Sequence, residues 1–164
     1  MPLFYRSPLT YANSKGFEVV YDNAGVVGLF GELKLNTSIG LDLAAFAEYN
    51  KYNMKELSHA FHRPELQTGV IVSYNWKEKI VLTTNITYIG ERTAFEHSLF
   101  ENGVTTEYPI LAGYTDVRLG AEYRYNKNLS AFFNVTNLLS QNYEIWYGYP
   151  VQQIQFLVGL SYRF

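Results

Sequence analysis

Most of this sequence alternates apolar and polar side chains with a period of two, and the apolar positions carry no charge. In 26–36, Val27, Leu29, Leu33 and Leu35, with Gly31 among them, stand against Glu32, Lys34 and Asn36. In 39–49, the set Ile39, Leu41, Leu43, Ala45, Ala47 and Tyr49 opposes Asp42 and Glu48. In 115–125, Thr115, Val117, Leu119, Ala121, Tyr123 and Tyr125 oppose Asp116, Arg118, Glu122 and Arg124. Runs of the same kind cover 66–76, 80–88, 129–135 and 154–164, and a shorter one covers 17–21. Alternation of this kind sends successive side chains to opposite faces of a strand. The pattern therefore predicts an all-β chain with about eight strands, and no segment has a helical period. It also explains a mean hydropathy near zero, because the average mixes two faces of opposite character.

The connections alternate in length. Thr37-Ser38, 77–79 and 126–128 read as tight turns, whereas loops occupy about 53–64, 93–112 and 136–151. Antiparallel up-and-down barrels of outer membranes have short turns at the periplasmic rim and long loops at the outer one. With the tight turns placed at the periplasmic rim, Trp76, Tyr123, Tyr125, Tyr162 and Phe164 fall at the periplasmic ends of their strands. Tyr49, Tyr52 and Tyr88 then fall toward the outer ends. One choice of direction thus yields two aromatic belts, at the level where a ring has one wet edge and one apolar edge. The strands have the ~9–11 residues that cross hydrocarbon when tilted. In lipid every backbone polar group must be paired internally, which leaves helices or closed barrels. The reading is a transmembrane β-barrel with its apolar face toward lipid.

Composition agrees where it is informative. Fifteen Tyr, 11 Phe and 2 Trp in 164 residues supply aromatic belts. Thirteen Lys and Arg against 15 Asp and Glu leave no basic excess, so nucleic acid is not an expected partner. Without cysteine there is no disulfide framework and no thiolate metal site. No apolar run approaches the ~18 residues of a membrane helix, and the opening MPLFYRSPLTYANSK lacks the charged start and apolar run of an export signal.

The last third resembles the end of TonB-dependent outer-membrane receptors. The matching pieces are Leu119-Gly120-Ala121-Glu122-Tyr123 before a short turn, LSAFFNVTNLL at 129–139, Asn137-Leu138 followed by Tyr143, and the Gly-Leu-Ser-Tyr-Arg-Phe ending. Upstream, FEVVYD (17–22), GEL (31–33) and HRPEL (62–66) resemble the late barrel of Bacteroidetes-type members. The resemblance implies residues 1–164 of a receptor's C-terminal barrel segment, without its plug domain, and a parent barrel of roughly 22 strands. It implies uptake of a scarce nutrient (a siderophore, cofactor or glycan) across the cell outer membrane of a Gram-negative bacterium. Expected partners are outer-membrane lipid, TonB through the N-terminal part of the parent, and a small-molecule or glycan ligand. The ending also matches the family's assembly signal at Val158, Leu160, Tyr162 and Phe164, read by the barrel-assembly machinery. Two alternatives stay open: a self-contained eight-stranded outer-membrane barrel with a structural or adhesive role, and a soluble lipocalin-like binder.

Tyr49, Trp76, Tyr88, Tyr123 and Tyr125 are the candidate interface aromatics. Tyr143, Trp146, Tyr147 and Tyr149 crowd the third loop, where they either stack on a ligand or fix the loop at the interface. The charges opposite the apolar sets line a substrate path, or are lumen residues solvated or paired across strands. His59 and His62 lack a third ligand at metal spacing, so no metal or cofactor is expected. None of the three His stands beside a Ser in a recognisable nucleophile elbow, and an enzyme is not expected. Asp22–Gly25 is expected to form a turn, with Gly28 and Gly31 permitting bends.

Overall fold

The computed structural model describes residues 1–7, 16–100 and 103–164. Seven long strands dominate it: β1 (Ala24–Asn36), β2 (Leu41–Met54), β3 (Leu66–Trp76), β4 (Ile80–Ile89), β5 (Tyr114–Arg124), β6 (Leu129–Thr136) and β7 (Gln155–Tyr162). They form one sheet in chain order, each antiparallel to the next. Among the described residues there is no helix, and neither β1 nor β7 has a second partner strand, so the sheet is open.

Register carries the alternation across the whole sheet. Leu35, Leu43, Val72, Thr84, Leu119, Val135 and Phe156 make one row that touches all seven strands. On the other face, one row holds Lys34, Ala44, Ile71, Asn85 and Arg118. Because the side-chain period is two, a slip of one residue would exchange the two faces. The apolar face is uncovered: Leu33 and Leu160 are 77% and 76% exposed. A face this apolar and this open is a contact surface for something apolar.

Among the described residues, the three ion pairs on the polar face run along strands and none crosses between them. Lys34 meets Glu32 at 3.0 Å, Arg118 meets Asp116 at 2.7 Å, and Arg124 meets Glu122 at 3.2 Å. Residues two apart share a face, so each acid finds its base on its own strand. The same face carries two aromatic rings that lie flat. Phe46 covers Gly69 and Phe132 covers Gly159, each on the neighbouring strand, where an added Cβ would collide with ring carbons.

The three tight turns lie at one end of the sheet. Lys77 and Glu78 are both left-handed (φ 51° and 58°), the backbone twist that suits a short hairpin. The carboxyl end reaches the same rim: Arg163 N–H donates to Asn128 O at 2.8 Å, and Asn128 Nδ2 donates to Arg163 O at 2.7 Å.

Two expectations need correction. The run at 17–21 is a strand, Gly16–Tyr21, but it pairs with Pro2–Ser7 in a separate four-stranded sheet with Glu96–Phe100 and Gly103–Glu107. The main sheet therefore has seven strands, not eight, and the self-contained eight-stranded barrel is not formed. Asp22–Gly25 is not a turn. Asp22 and Asn23 link two strands, and Ala24 already pairs with Met54. The buried Asp22 carboxylate instead accepts the N–H groups of Leu57 (2.9 Å) and Glu56 (3.0 Å). Those bonds, that of Leu57 first, hold its pKa below the ordinary carboxylate value.

Candidate ligand-facing loop cluster

Four of the five buried apolar side chains among the described residues, Leu3, Phe61, Ala94 and Leu111, lie at the loop end of the sheet. The hydrophobic core thus sits between the connections 55–65, 90–113 and 137–154, together with the N-terminal strand. Phe61 is its centre, with its ring 4.9 Å from Phe95 and 6.0 Å from Tyr108. The short strands Arg92–Thr93 and Ile110–Leu111 pair beneath it.

Asn137 folds the third connection. It follows β6 in the left-handed region (φ 48°), which asparagine tolerates better than most residues. Its buried Nδ2 donates to Gln141 O (2.9 Å) and Gln152 O (3.2 Å), and its Oδ1 accepts the Gln141 N–H (3.0 Å). Leu138 N–H returns to Val117 O at 2.9 Å. This geometry places Tyr143 flat on Tyr114, with ring centroids 3.7 Å apart and 8° between planes. Arg92 lies over the Tyr114 ring at 5.1 Å and donates to Glu144 O (2.8 Å) and Ile145 O (3.3 Å). Burial lowers the pKa of this guanidinium, and the ring and carbonyls stand in for the water it has lost.

The other loop aromatics fall in one hairpin. Glu144–Trp146 pairs with Tyr149–Pro150 through Tyr147 and a left-handed Gly148 (φ 77°). Trp146 packs edge-on against Phe4 at 5.7 Å and against the His62 ring at 4.7 Å. Tyr147 hydrogen-bonds Glu96, whose charge raises the phenol pKa. Tyr149 is the partner of Trp146 across the hairpin and is exposed.

His62 joins three segments. Its Nδ1 faces the Phe4 carbonyl at 3.2 Å, and its Nε2 faces the Tyr147 N–H at 3.5 Å. A carbonyl can only accept and an N–H can only donate, so the ring is neutral with its proton on Nδ1. Burial lowers its pKa from 6.5 to about 4, with Arg92 pushing the same way and the Phe4 carbonyl opposing. A chain that opens at this site takes up a proton before the closed one does. The cluster therefore loses stability as pH falls from about 6.5 to about 4 and levels off below. The His62 imidazole signal followed against pH by NMR is expected to titrate near 4, and a midpoint at the free value would refute this packing. His59 points elsewhere, its ring 5.7 Å from Tyr108. Among the described residues no three His, Cys, Asp or Glu side chains gather at one point.

Between this cluster and the polar face of β2 and β3 lies a cavity of about 420 Å³, lined by Phe4, Glu48, Asn50, Gln67, His62 and Trp146. It combines aromatic edges with amide and carboxylate groups, which suits a polar ligand entering from the loop end. The sequence pointed to Tyr143 and Trp146 but missed Arg92 and Tyr114, which hold the third connection, and Phe61, the centre of the core beside it.

The expected interface aromatics are exposed at the two ends of the apolar face. Trp76, Tyr123 and Tyr125 stand at the tight-turn rim, with Lys77 over the Trp76 ring at 5.3 Å. Tyr49 and Tyr88 stand at the loop rim. Val158, Leu160, Tyr162 and Phe164 line the same face of the edge strand, with the Tyr162 and Phe164 rings 5.2 Å apart.

Compared with solved structures, the chain matches the ferripyoverdine receptor of the outer membrane of Pseudomonas aeruginosa with a TM-score of 0.70 and 18% identity, over 94% of this chain and 21% of that one. This is the fold of a TonB-dependent receptor's barrel wall. The ferric-catecholate import receptor Fiu of E. coli K12 matches with a TM-score of 0.71 and 19% identity, over 93% of this chain and 23% of that one. The ferric enterobactin receptor of Pseudomonas aeruginosa matches at 0.64 and 21%, over 85% and 22%. The chain thus spans about a fifth of the length of the receptors whose barrel fold it shares. No protein-family model and no curated protein matches the sequence.

Proposed function

We propose that the chain is the C-terminal barrel segment of a TonB-dependent receptor in a Gram-negative outer membrane, and that the parent imports a scarce nutrient. The observation that carries this is the seven-stranded meander. From the tight turns up to Tyr49 one face is free of charge and exposed in register across every strand, while the charges lie on the opposite face; Lys51, above Tyr49 on β2, is the exception. The two open edges suit further strands of the parent barrel, and the polar face suits a plug domain. The tight-turn rim is periplasmic, and TonB is engaged by the rest of the parent. Val158, Leu160, Tyr162 and Phe164 present the edge strand to the barrel-assembly machinery. The loop cluster and its cavity face the ligand, and the chain performs no reaction of its own. Likeness to siderophore receptors makes an iron chelate the first ligand class to try.

The absence of native cysteine makes a labelling test clean. In outer-membrane preparations, a Cys at position 119 is expected to resist a water-borne maleimide, while a Cys at position 118 reacts from the lumen side. Equal labelling of the two, or recovery of the chain as a detergent-free monodisperse monomer, would sink the proposal.

A further inference from the structure

The cavity of about 420 Å³ between the loop cluster and the polar face of β2 and β3 has two unlike walls. Phe4 and Trp146 supply the aromatic one, with Phe4 39% exposed. The other wall is polar. Glu48 and Gln67 are register partners on neighbouring strands, and Asn50 follows Glu48 on the same face of β2. Tyr52, His62 and Arg63 are the remaining polar groups of the lining.

Their partners decide what each can still do. His62 is committed on both ring nitrogens, to the Phe4 carbonyl and the Tyr147 N–H. Asn50 Nδ2 donates to Glu48 Oε1 at 2.6 Å, which orients the carboxylate and leaves its second oxygen. Among the described residues, neither the Gln67 amide nor the Arg63 guanidinium has a side-chain hydrogen bond or ion pair. One acid and one base leave the lining without net charge. Arginines nearby add none: Arg118 is paired with Asp116, and Arg92 is committed to two carbonyls. A polyanionic chelate finds no surplus of cations here. An anion is opposed by Glu48, and an ammonium by Arg63.

On the proposed reading, in which this end of the wall meets the parent's nutrient, we infer that the cavity binds a neutral sugar ring of an oligosaccharide. A pyranose carries hydroxyls that both donate and accept around its edge, and C–H groups on its faces. The free Glu48 oxygen accepts from one hydroxyl, the Arg63 guanidinium donates to another, and the Gln67 amide does either. The C–H face lies on the Trp146 and Phe4 rings, whose negative faces suit its hydrogens. The bond from Asn50 sets the carboxylate before the ligand arrives, which lowers the ordering cost of binding.

The test uses the full chain in a non-ionic detergent. It has two Trp, and Trp76 stands at the opposite rim, so Trp76→Phe leaves Trp146 as the only indole reporter. Four probes are titrated, with affinity read by calorimetry: maltotriose, cellotriose, trialanine and ferric enterobactin. At least one trisaccharide is expected to shift the Trp146 emission and to bind about tenfold more tightly than the peptide or the chelate, the effect of one charge-assisted hydrogen bond. Glu48→Gln keeps an oxygen for Asn50, so the strand spectrum should not change. It is expected to weaken the trisaccharide about tenfold, whereas loss of a negative charge strengthens binding of an anionic chelate. The inference is overturned if neither trisaccharide shifts Trp146, if Glu48→Gln binds as well as the parent sequence, or if peptide or chelate binds more tightly. A chain that stays monodisperse without detergent overturns the membrane reading as well. One that needs detergent yet binds no trisaccharide overturns this site alone.

Discussion

Replacing Leu119 by Arg is expected to cost about 2–4 kcal/mol of stability in a bilayer, the penalty for a cation at the mid-plane of a barrel's lipid face. Leu119 lies midway along β5 and within a row of the apolar face that touches all seven strands. An arginine there has no rim within easy reach of its guanidinium. Thr83, one position away in register on the charged face, is the control. Thr83→Arg meets solvent in the lumen and should stay within about 0.5 kcal/mol of the parent sequence. Urea titration of the chain reconstituted in vesicles reads both. If the two substitutions cost the same, the apolar face is not the lipid face.

The second large effect belongs to the loops. Asn137→Ala removes three side-chain hydrogen bonds, each contributing about 1 kcal/mol, and puts a residue with a poor tolerance for left-handed backbone at φ 48°. The loss is about 3 kcal/mol or more, and it is local to 137–152. Hydrogen exchange should show the Gln141 and Val151 amides unprotected while the β-sheet amides keep their protection. Asn137→Gly restores the backbone and not the bonds, so it should recover only about 1 kcal/mol. Undiminished protection of Gln141 in Asn137→Ala would mean that the side chain does not hold the loop.

The long strands were legible because both signals that define them are local. Alternation fixed the faces, and short turns such as 77–79 fixed the register, so 66–76 was read to the residue. β2 was read five residues too short, because beyond Tyr49 its partners change character and Lys51 breaks the apolar set. The strand at 16–21 was recognised, but its sheet was not, since its partner Pro2–Ser7 has no alternation to mark it. Strands of two or three residues, such as Arg92–Thr93 and Glu144–Trp146, are shorter than one period of any pattern.

The site was legible only where a motif pointed to it. The Asn-Leu…Tyr spacing drew attention to Asn137 and Tyr143, and the structure supplies its reason: a left-handed corner that sets one tyrosine on another. Arg92 and Tyr114 carry no local signature, because their roles depend on carbonyls and rings more than twenty residues away in sequence. In the sequence His62 stands beside His59 as half of an incomplete metal pair. Its actual neighbours, Phe4 and Tyr147, come from both ends of the chain.

The β1–β2 ladder does not stop where the sheet does. Its last rung shared with β3 is Tyr49 with Leu66, yet pairing of the two strands continues to Ala24 with Met54. That leaves a two-stranded ribbon rising roughly 14 Å or more above the wall, at about 3.4 Å per residue, with Asn50 N–H bonded to Glu65 O at 2.7 Å near its foot and its polar side turned to the loop cluster. Two-stranded ribbons twist more strongly than sheets and are marginal by themselves. The Asp22 carboxylate clamps the top of this one to residues 56 and 57. Mechanically it is a mast whose head is knotted to its own chain, and a push at that head is delivered as torque to the wall at its foot.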